Sequence, residues 1–133
     1  MRIPIYVWLV ILLIGCSPKG KYISSPNNKY HLTLYEQSDE KGKSFTFITY
    51  GKVRKNKMPK SYIKARNRHS DAWYCLISWE GPKAIIYQPY SNFVGYNLDE
   101  TKLELREMKE KEFSKIFFSK EKDQYIRLSS YNK

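Results

Sequence analysis

The stretch 72–79 constrains the fold most, because it is apolar on both faces of an extended chain. Successive side chains of a β-strand point to opposite faces, so Tyr74 and Leu76 share one face and four other residues share the other. Those four are Trp73, Cys75, Ile77 and Trp79. A strand that is apolar on both sides is typical of a sheet interior. The pattern therefore predicts the central, most buried strand, and we expect the group of four to line the core.

Alternating segments on either side of this stretch predict the rest of a sheet. Tyr30, Leu32 and Leu34 alternate with polar residues and predict a half-buried strand. After a turn at 38–42, we expect Phe45 and Phe47 to point inward from a second strand, which pairs with the first as an antiparallel hairpin. Further strands are predicted at 83–88, 102–107 and 124–129, with an aromatic loop at 90–96.

One helix is predicted near the carboxyl end of the chain. Phe113, Ile116 and Phe117 recur at the spacing that places side chains on one face of an α-helix, so 109–119 is expected to be short and amphipathic. The predicted fold class is mainly β (α+β), a small antiparallel sheet or half-barrel of about five to six strands with this helix packed on it. Residues 26–133 are expected to form this single domain.

The amino terminus carries an apolar run from Ile3 to Ile14 that contains no charge. A membrane-spanning helix needs about 20 such residues, whereas the apolar part of a cleaved signal peptide needs roughly 7–15. The run closes with Leu13-Ile14-Gly15-Cys16: an aliphatic residue, a permissive position, a small residue and a cysteine.

This closing sequence resembles the lipobox of bacterial lipoproteins. The resemblance covers residues 1–16 and implies that 1–15 is a cleaved signal peptide and that the Cys16 thiolate takes a diacylglycerol. The alternative is an ordinary signal peptide, or an amino-terminal anchor, in which Cys16 is incidental. Residues 16–25 are polar and predict a lipidated tether. By resemblance to enterobacterial lipoproteins, the absence of Asp at position 17, which is Ser17, favours outer-membrane sorting. In a single-membrane cell the protein would stay on the outer face of the plasma membrane.

Lipidation of Cys16 would leave Cys75 as the only other cysteine. No intramolecular disulfide could then form, even in an oxidising compartment. Cys75 lies within the most apolar stretch, so we expect a buried residue that acts as a small hydrophobic side chain.

The most unusual charged segment is 51–69, which holds eight cations and no acid in a chain of formal net charge +11. The cations are Lys52, Arg54, Lys55, Lys57, Lys60, Lys64, Arg66 and Arg68. A long basic loop is predicted, with a short helical turn or strand near Tyr62 and Ile63 as an alternative there. Such loops are uncommon unless functional or mobile. One interpretation is a solvated run that maintains solubility; the other is an anion-binding patch. In a secreted protein the expected partners are anionic lipids, lipid A phosphates or an acidic protein, and nucleic acid is not expected.

No arrangement of residues indicates catalysis. The two histidines, His31 and His69, lie far apart in the sequence, and no metal-ligand, phosphate-loop or nucleophile-elbow motif is present. We expect no enzyme activity, metal or cofactor. The sequence favours a non-catalytic, membrane-anchored envelope lipoprotein that acts as a binding or assembly module. The alternative is a small immunity or inhibitor lipoprotein that neutralises a partner protein.

Overall fold

The computed structural model describes residues 21–38, 44–53, 59–65 and 73–130. Within these ranges the chain forms nine strands and one helix. The strands are β1 (Lys21–Ser24), β2 (His31–Ser38), β3 (Ser44–Tyr50), β4 (Tyr62–Ala65), β5 (Tyr74–Glu80), β6 (Lys83–Gln88), β7 (Phe93–Tyr96), β8 (Leu103–Glu107) and β9 (Ile126–Ser129). The helix is α1 (Glu110–Phe117).

The strands form two sheets. Sheet A has the order β1-β2-β3-β4-β7, and every neighbouring pair in it is antiparallel. Sheet B has the order β8-β6-β5-β9, in which the β6–β8 pair is parallel and the other pairs are antiparallel. The predicted mainly β class with one carboxyl-terminal amphipathic helix is confirmed. There are more strands than expected, because several short strands lie in segments that the sequence predicted as loops. The nine strands are divided between two sheets.

One apolar core joins the two sheets. The sheet A residues in it include Leu32, Leu34, Ile48 and Ile63, and the sheet B residues include Cys75, Ile77, Ala84 and Ile86. Each of these side chains is almost fully buried. Period-2 alternation places them on one face of each strand, so the two inner faces pack against each other as a β-sandwich.

Helix α1 covers the other face of sheet B. Phe113 is buried against Leu76 and Met108, and Tyr74 packs at the edge of this second apolar cluster. The cover explains why β5 is apolar on both faces: one face meets sheet A and the other meets α1. The prediction of the most buried strand is confirmed, with Trp73, Cys75 and Ile77 in the core and Trp79 half-buried against it.

The hairpin of β2 and β3 is confirmed, but the predicted orientation of Phe45 and Phe47 is wrong. In the observed register Leu34 pairs with Ile48 and Tyr35 pairs with Phe47. Ile48 therefore shares the core face with Leu34, and the two phenylalanines point to the opposite face of sheet A. The aromatic residues outnumber the aliphatic ones in β3, which is why the sequence pattern favoured the wrong face.

Three segments predicted as loop or tether contain strands. Residues 21–24, the end of the predicted tether, form β1 at one edge of sheet A. The basic segment contains β4, which confirms the strand alternative near Tyr62 and Ile63, and the aromatic loop contains β7. Short strands of four residues give too few alternating positions to be recognised in a sequence.

A buried glutamine in β6 forms hydrogen bonds with β7 and β8, the next two strands along the chain. Gln88 Oε1 accepts a hydrogen bond from the Phe93 backbone N–H at 2.7 Å. Its Nε2 donates to the Phe93 carbonyl at 3.3 Å and to Glu107 Oε1 at 3.0 Å. One side chain thus links the last strand of sheet A to two strands of sheet B.

Candidate binding face on sheet A

The face of sheet A that points away from the core is called here the outer face. Residues paired directly across neighbouring strands point to the same side of a sheet, and the register therefore defines this face. Its members include Tyr22, Thr33, Tyr35, Phe47, Thr49, Tyr62, Lys64 and Tyr96. The face is thus rich in aromatic and hydroxyl side chains, and Lys64 lies on it in β4. Its central residues Thr33, Tyr35, Phe47 and Thr49 are buried, whereas Tyr22 and Tyr96 on its edge strands are exposed.

Four aromatic rings form a row across β2, β3, β4 and β7. Tyr35 stacks on Phe47 with ring centroids 5.3 Å apart, and Phe47 meets Tyr62 edge-on at 5.5 Å. Tyr62 in turn stacks on Tyr96 at 4.9 Å. Offset and edge-on contacts of this kind stabilise an aromatic cluster beyond its area of burial. Burial raises the pKa of Tyr35 above its ordinary value, and the nearby Tyr62 adds to the shift, so this phenol stays neutral.

Two of the lysines predicted to bind anions lie against aromatic rings. Lys64 Nζ is 4.0 Å from the centroid of the Phe45 ring, and Lys52 Nζ is 5.4 Å from that of Tyr22. Lys60 is exposed, and its backbone carbonyl accepts a hydrogen bond from Asn97 Nδ2 at 3.3 Å. Among the described residues none of these three lysines forms an ion pair. A ring face attracts a cation without cancelling its charge.

Threonine hydroxyl groups attach two parts of the basic segment to the outer face. Thr33 Oγ1 donates to the Gly51 carbonyl at 2.6 Å and accepts from the Val53 backbone N–H at 3.0 Å. Thr49 Oγ1 donates to the Ser61 carbonyl at 2.9 Å. The chain turns at Gly51, where φ is +89°, a conformation that favours glycine. Gly51, Val53 and Ser61 of the basic segment are therefore held against the outer face.

The predicted site residues divide into two groups. Lys52, Lys60 and Lys64 lie at or beside the outer face. The others lie outside the described residues: Cys16, Arg54, Lys55, Lys57, Arg66 and Arg68. Sequence reasoning missed the aromatic row, because its members come from four strands. One signal in the sequence could have indicated it: in Tyr62-Ile63-Lys64-Ala65 an aromatic residue and a lysine alternate with apolar residues, which places Tyr62 and Lys64 on the same face of a strand.

Charges on sheet B are arranged differently. Glu104 pairs with Lys83 at 3.0 Å and with Arg106 at 2.5 Å. The hydrogen bond from Lys83, followed by contacts with Arg106, holds the pKa of Glu104 below its ordinary value. In this part of sheet B the positive and negative charges therefore compensate one another. By contrast, Lys52, Lys60 and Lys64 form no ion pair among the described residues.

Of the histidines and cysteines in the sequence, the structure describes His31 and Cys75. His31 Nδ1 lies 3.0 Å from Ser24 Oγ at the surface of sheet A, and His69 lies outside the described residues. The predicted burial of Cys75 is confirmed, and burial raises the pKa of its thiol to about 12. In the part of the chain that the structure describes, no three His, Cys, Asp or Glu side chains gather as they would around a metal ion. The same part contains no helix that is long and apolar enough to span a membrane.

Comparison with known proteins does not identify a relative. The chain matches no protein-family model, and it shows no significant similarity to a curated protein or to a solved structure. Functional reasoning therefore depends on the residues and the geometry of the outer face.

Proposed function

We propose that this chain is a bacterial envelope lipoprotein, anchored by a lipid on Cys16, that acts as a non-catalytic binding module for anionic envelope components. The anchor is supported by the lipobox-like sequence from Leu13 to Cys16. The binding role is supported by the outer face of sheet A.

The observation that carries the binding role is the state of three lysines. Lys52, Lys60 and Lys64 have no ion-pair partner among the described residues, and two of them lie over aromatic rings. Like-signed charges on one side of a domain sum to a field that attracts anions, and the field is screened beyond about 8–10 Å at moderate salt. A neighbouring carboxylate would weaken that field. Phosphate groups of lipids and lipid A are the anions that this compartment offers in quantity.

Vesicle sedimentation tests the binding role separately from the anchor. Residues 17–133, which lack the lipidation site, should sediment with vesicles that carry anionic head groups and not with neutral ones. Affinity should fall steeply between low and physiological salt, because exposed charges are screened. Replacing Lys52, Lys60 and Lys64 together by Gln should remove most of the binding.

The matched control uses three exposed lysines on the α1 side of the domain. Replacing Lys111, Lys115 and Lys120 by Gln changes the net charge by the same amount. If both triple variants lose binding equally, net charge alone is responsible and the outer face is not a site. If neither loses binding, the lysines of sheet A form a solvated surface.

An inhibitor lipoprotein that binds an acidic protein is the second candidate. Tyrosine is enriched in protein interfaces, and Tyr22 and Tyr96 are both exposed on the outer face. Isolating the anchored protein from envelopes and identifying what co-purifies would separate the two candidates. The inhibitor would be favoured by an acidic protein that co-purifies in a one-to-one ratio with the anchored protein. That partner should no longer co-purify with the variant in which Lys52, Lys60 and Lys64 are replaced.

A further inference from the structure

We propose that Lys52 and His31 bind a phosphate group at the β1 edge of sheet A, with Ser24 positioning the histidine and Tyr22 positioning the lysine. These four residues are called here the edge site. The inference rests on the proposed function, and it names the place where one of the anion-binding lysines holds its ligand. The centre of the outer face is buried, whereas at this edge Lys52 and Tyr22 are exposed and His31 and Ser24 are half-buried.

The register of β1 and β2 places three members of the edge site on one face. Ser24 pairs with His31, and Tyr22 pairs with Thr33; directly paired residues point to the same side of a sheet. Tyr22 and His31 are therefore diagonal neighbours, which stand about 7–8 Å apart. Two hydrogen bonds of about 2.7–2.9 Å to oxygens of one phosphate span a gap of this size. A phosphate group thus fits between a donor above Tyr22 and the ring of His31.

The backbone on both sides of Lys52 is held in place. The Gly51 N–H donates to the His31 carbonyl at 2.7 Å, which brings the lysine beside the histidine. Thr33 Oγ1 donates to the Gly51 carbonyl at 2.6 Å and accepts from the Val53 N–H at 3.0 Å. Binding costs less when the groups that bind are already ordered. Lys52 therefore combines an exposed side chain with a backbone that is fixed before a ligand arrives.

Side-chain contacts orient the two groups that would bind the phosphate. Lys52 Nζ lies 5.4 Å from the centroid of the Tyr22 ring, which attracts the ammonium without cancelling its charge. Ser24 Oγ lies 3.0 Å from His31 Nδ1. When the serine hydroxyl donates to Nδ1, the ring carries its proton on Nε2, and Nε2–H is then a donor for a phosphate oxygen. Among the described residues, Nε2 has no hydrogen-bond partner and Lys52 has no ion-pair partner.

The acid nearest to the edge site within sheet A is remote. In the five strands of this sheet, Glu36 alone carries a carboxylate. It lies five positions from His31 along β2, and a rise of about 3.4 Å per residue separates the two by about 17 Å. The odd number of positions also places them on opposite faces of the strand. The sheet's own carboxylate therefore does not compete with a phosphate for Lys52.

Histidine-selective nitrogen-15 NMR on the complete lipidated protein in a nonionic detergent tests the edge site. The chain has two histidines, and His31→Gln identifies the His31 signals. The probes are glycerol 3-phosphate in solution and phosphatidic acid in nanodiscs, which present the same phosphate monoester free and on a membrane. At fixed neutral pH and constant ionic strength, the His31 ring signals should shift, and with glycerol 3-phosphate the shift should saturate. Sodium chloride and phosphatidylcholine nanodiscs are the references.

Three variants assign the shift to the edge site. Lys52→Gln should weaken the binding of glycerol 3-phosphate about tenfold, because it removes a hydrogen bond between charged groups. The matched control is Lys60→Gln, which removes the same charge from a lysine outside the edge site and should have little effect. Ser24→Ala tests the positioning of the ring. It should change the nitrogen-15 shifts that report which ring nitrogen carries the proton, and it should weaken binding in parallel.

The outcomes separate the edge site from the proposed function. If neither probe shifts the His31 signals in a protein that sediments with anionic vesicles, the edge site is wrong and the proposed function stands. If sodium chloride gives the same shifts, or if Lys52→Gln and Lys60→Gln weaken binding equally, a diffuse positive field replaces the site. A shift with phosphatidic acid alone supports the site and identifies a membrane lipid as the source of the phosphate; a shift with both probes supports it for free phosphate esters as well. A protein that neither sediments with anionic vesicles nor responds at His31 refutes both proposals.

Discussion

The contact between Arg127 and the end of α1 gives a prediction that can be worked out quantitatively. The Arg127 guanidinium donates from Nη2 to the Ile116 carbonyl at 2.7 Å and from Nε to the Phe117 carbonyl at 3.1 Å. It also forms a two-pronged ion pair with Asp123, at 3.0 Å and 2.5 Å. The last carbonyl groups of a helix have no intrahelical partner. This one side chain bonds to two of them, those of Ile116 and Phe117, and so connects α1 to β9.

Replacing Arg127 by Gln should lower the free energy of unfolding by about 2 kcal/mol. A hydrogen bond to a charged group contributes about 1.5–3 kcal/mol, and we take a value toward the lower end because the Arg127 side chain remains 25% exposed. The Arg127→Lys variant should lose roughly half as much, since it keeps a cation at the negative end of the helix but not the planar fork. Urea denaturation followed by circular dichroism measures both.

The control is Arg106→Gln, which removes an exposed guanidinium that contacts no helix end. It should shift the urea midpoint much less, because Glu104 keeps its contact with Lys83. If Arg127→Gln and Arg106→Gln have the same small effect, the connection between α1 and β9 does not depend on Arg127.

The same ion pair gives the domain a pH dependence. The hydrogen bond from Arg127 holds the pKa of Asp123 below its ordinary value of 3.8. A lowered folded-state pKa contributes stability that is fully present above the unfolded value and is lost as the pH falls through the folded value. The stability difference between wild type and Asp123→Asn should therefore be constant near neutral pH and shrink below pH 3.8. A difference that stays constant to the acid limit would contradict the pairing.

Three further predictions concern the core and the outer face. Cys75 should not react with a thiol reagent until the protein unfolds, because it is fully buried and its pKa is raised to about 12; full labelling under native conditions would contradict this. Trp79→Ala should lower the free energy of unfolding by about 3 kcal/mol in urea denaturation. This is near the low end for a large aromatic residue, because Trp79 is only half-buried. An unchanged midpoint would show that β5 is not the central strand. Thr33→Val should lower the free energy of unfolding by about 1–3 kcal/mol, because it leaves the Gly51 carbonyl and the Val53 N–H without their partner. The backbone amides of 51–53 should then exchange faster with deuterium. Unchanged exchange would show that other contacts hold this segment.

The long apolar strand and the helix could be predicted from the sequence because their patterns are local. Residues 72–79 are apolar except at Ser78, and Phe113, Ile116 and Phe117 repeat with helical spacing. Neither prediction needs knowledge of what lies next to the segment in space. Both are confirmed by β5 and α1.

The outer face of sheet A could not be predicted because it depends on register. Phe47 was expected in the core, and only its pairing with Tyr35 and Lys64 places it on the other side of the sheet. A shift of one residue exchanges the two faces of a strand. The threonine contacts that hold the basic segment are equally non-local, since Thr33 and Gly51 lie 18 residues apart. The lysines themselves were visible in the sequence, but their aromatic neighbours were not.

The central claim is that Cys16 carries the lipid that anchors this domain, and intact mass spectrometry of the membrane-extracted protein tests it most directly. The wild-type protein should begin at Cys16, lack residues 1–15 and carry the added mass of a diacylglyceryl group. The Cys16→Ala variant should carry no lipid and keep residues 1–15. A wild-type protein of unmodified mass, or a Cys16→Ala protein that is lipidated like the wild type, would contradict the account.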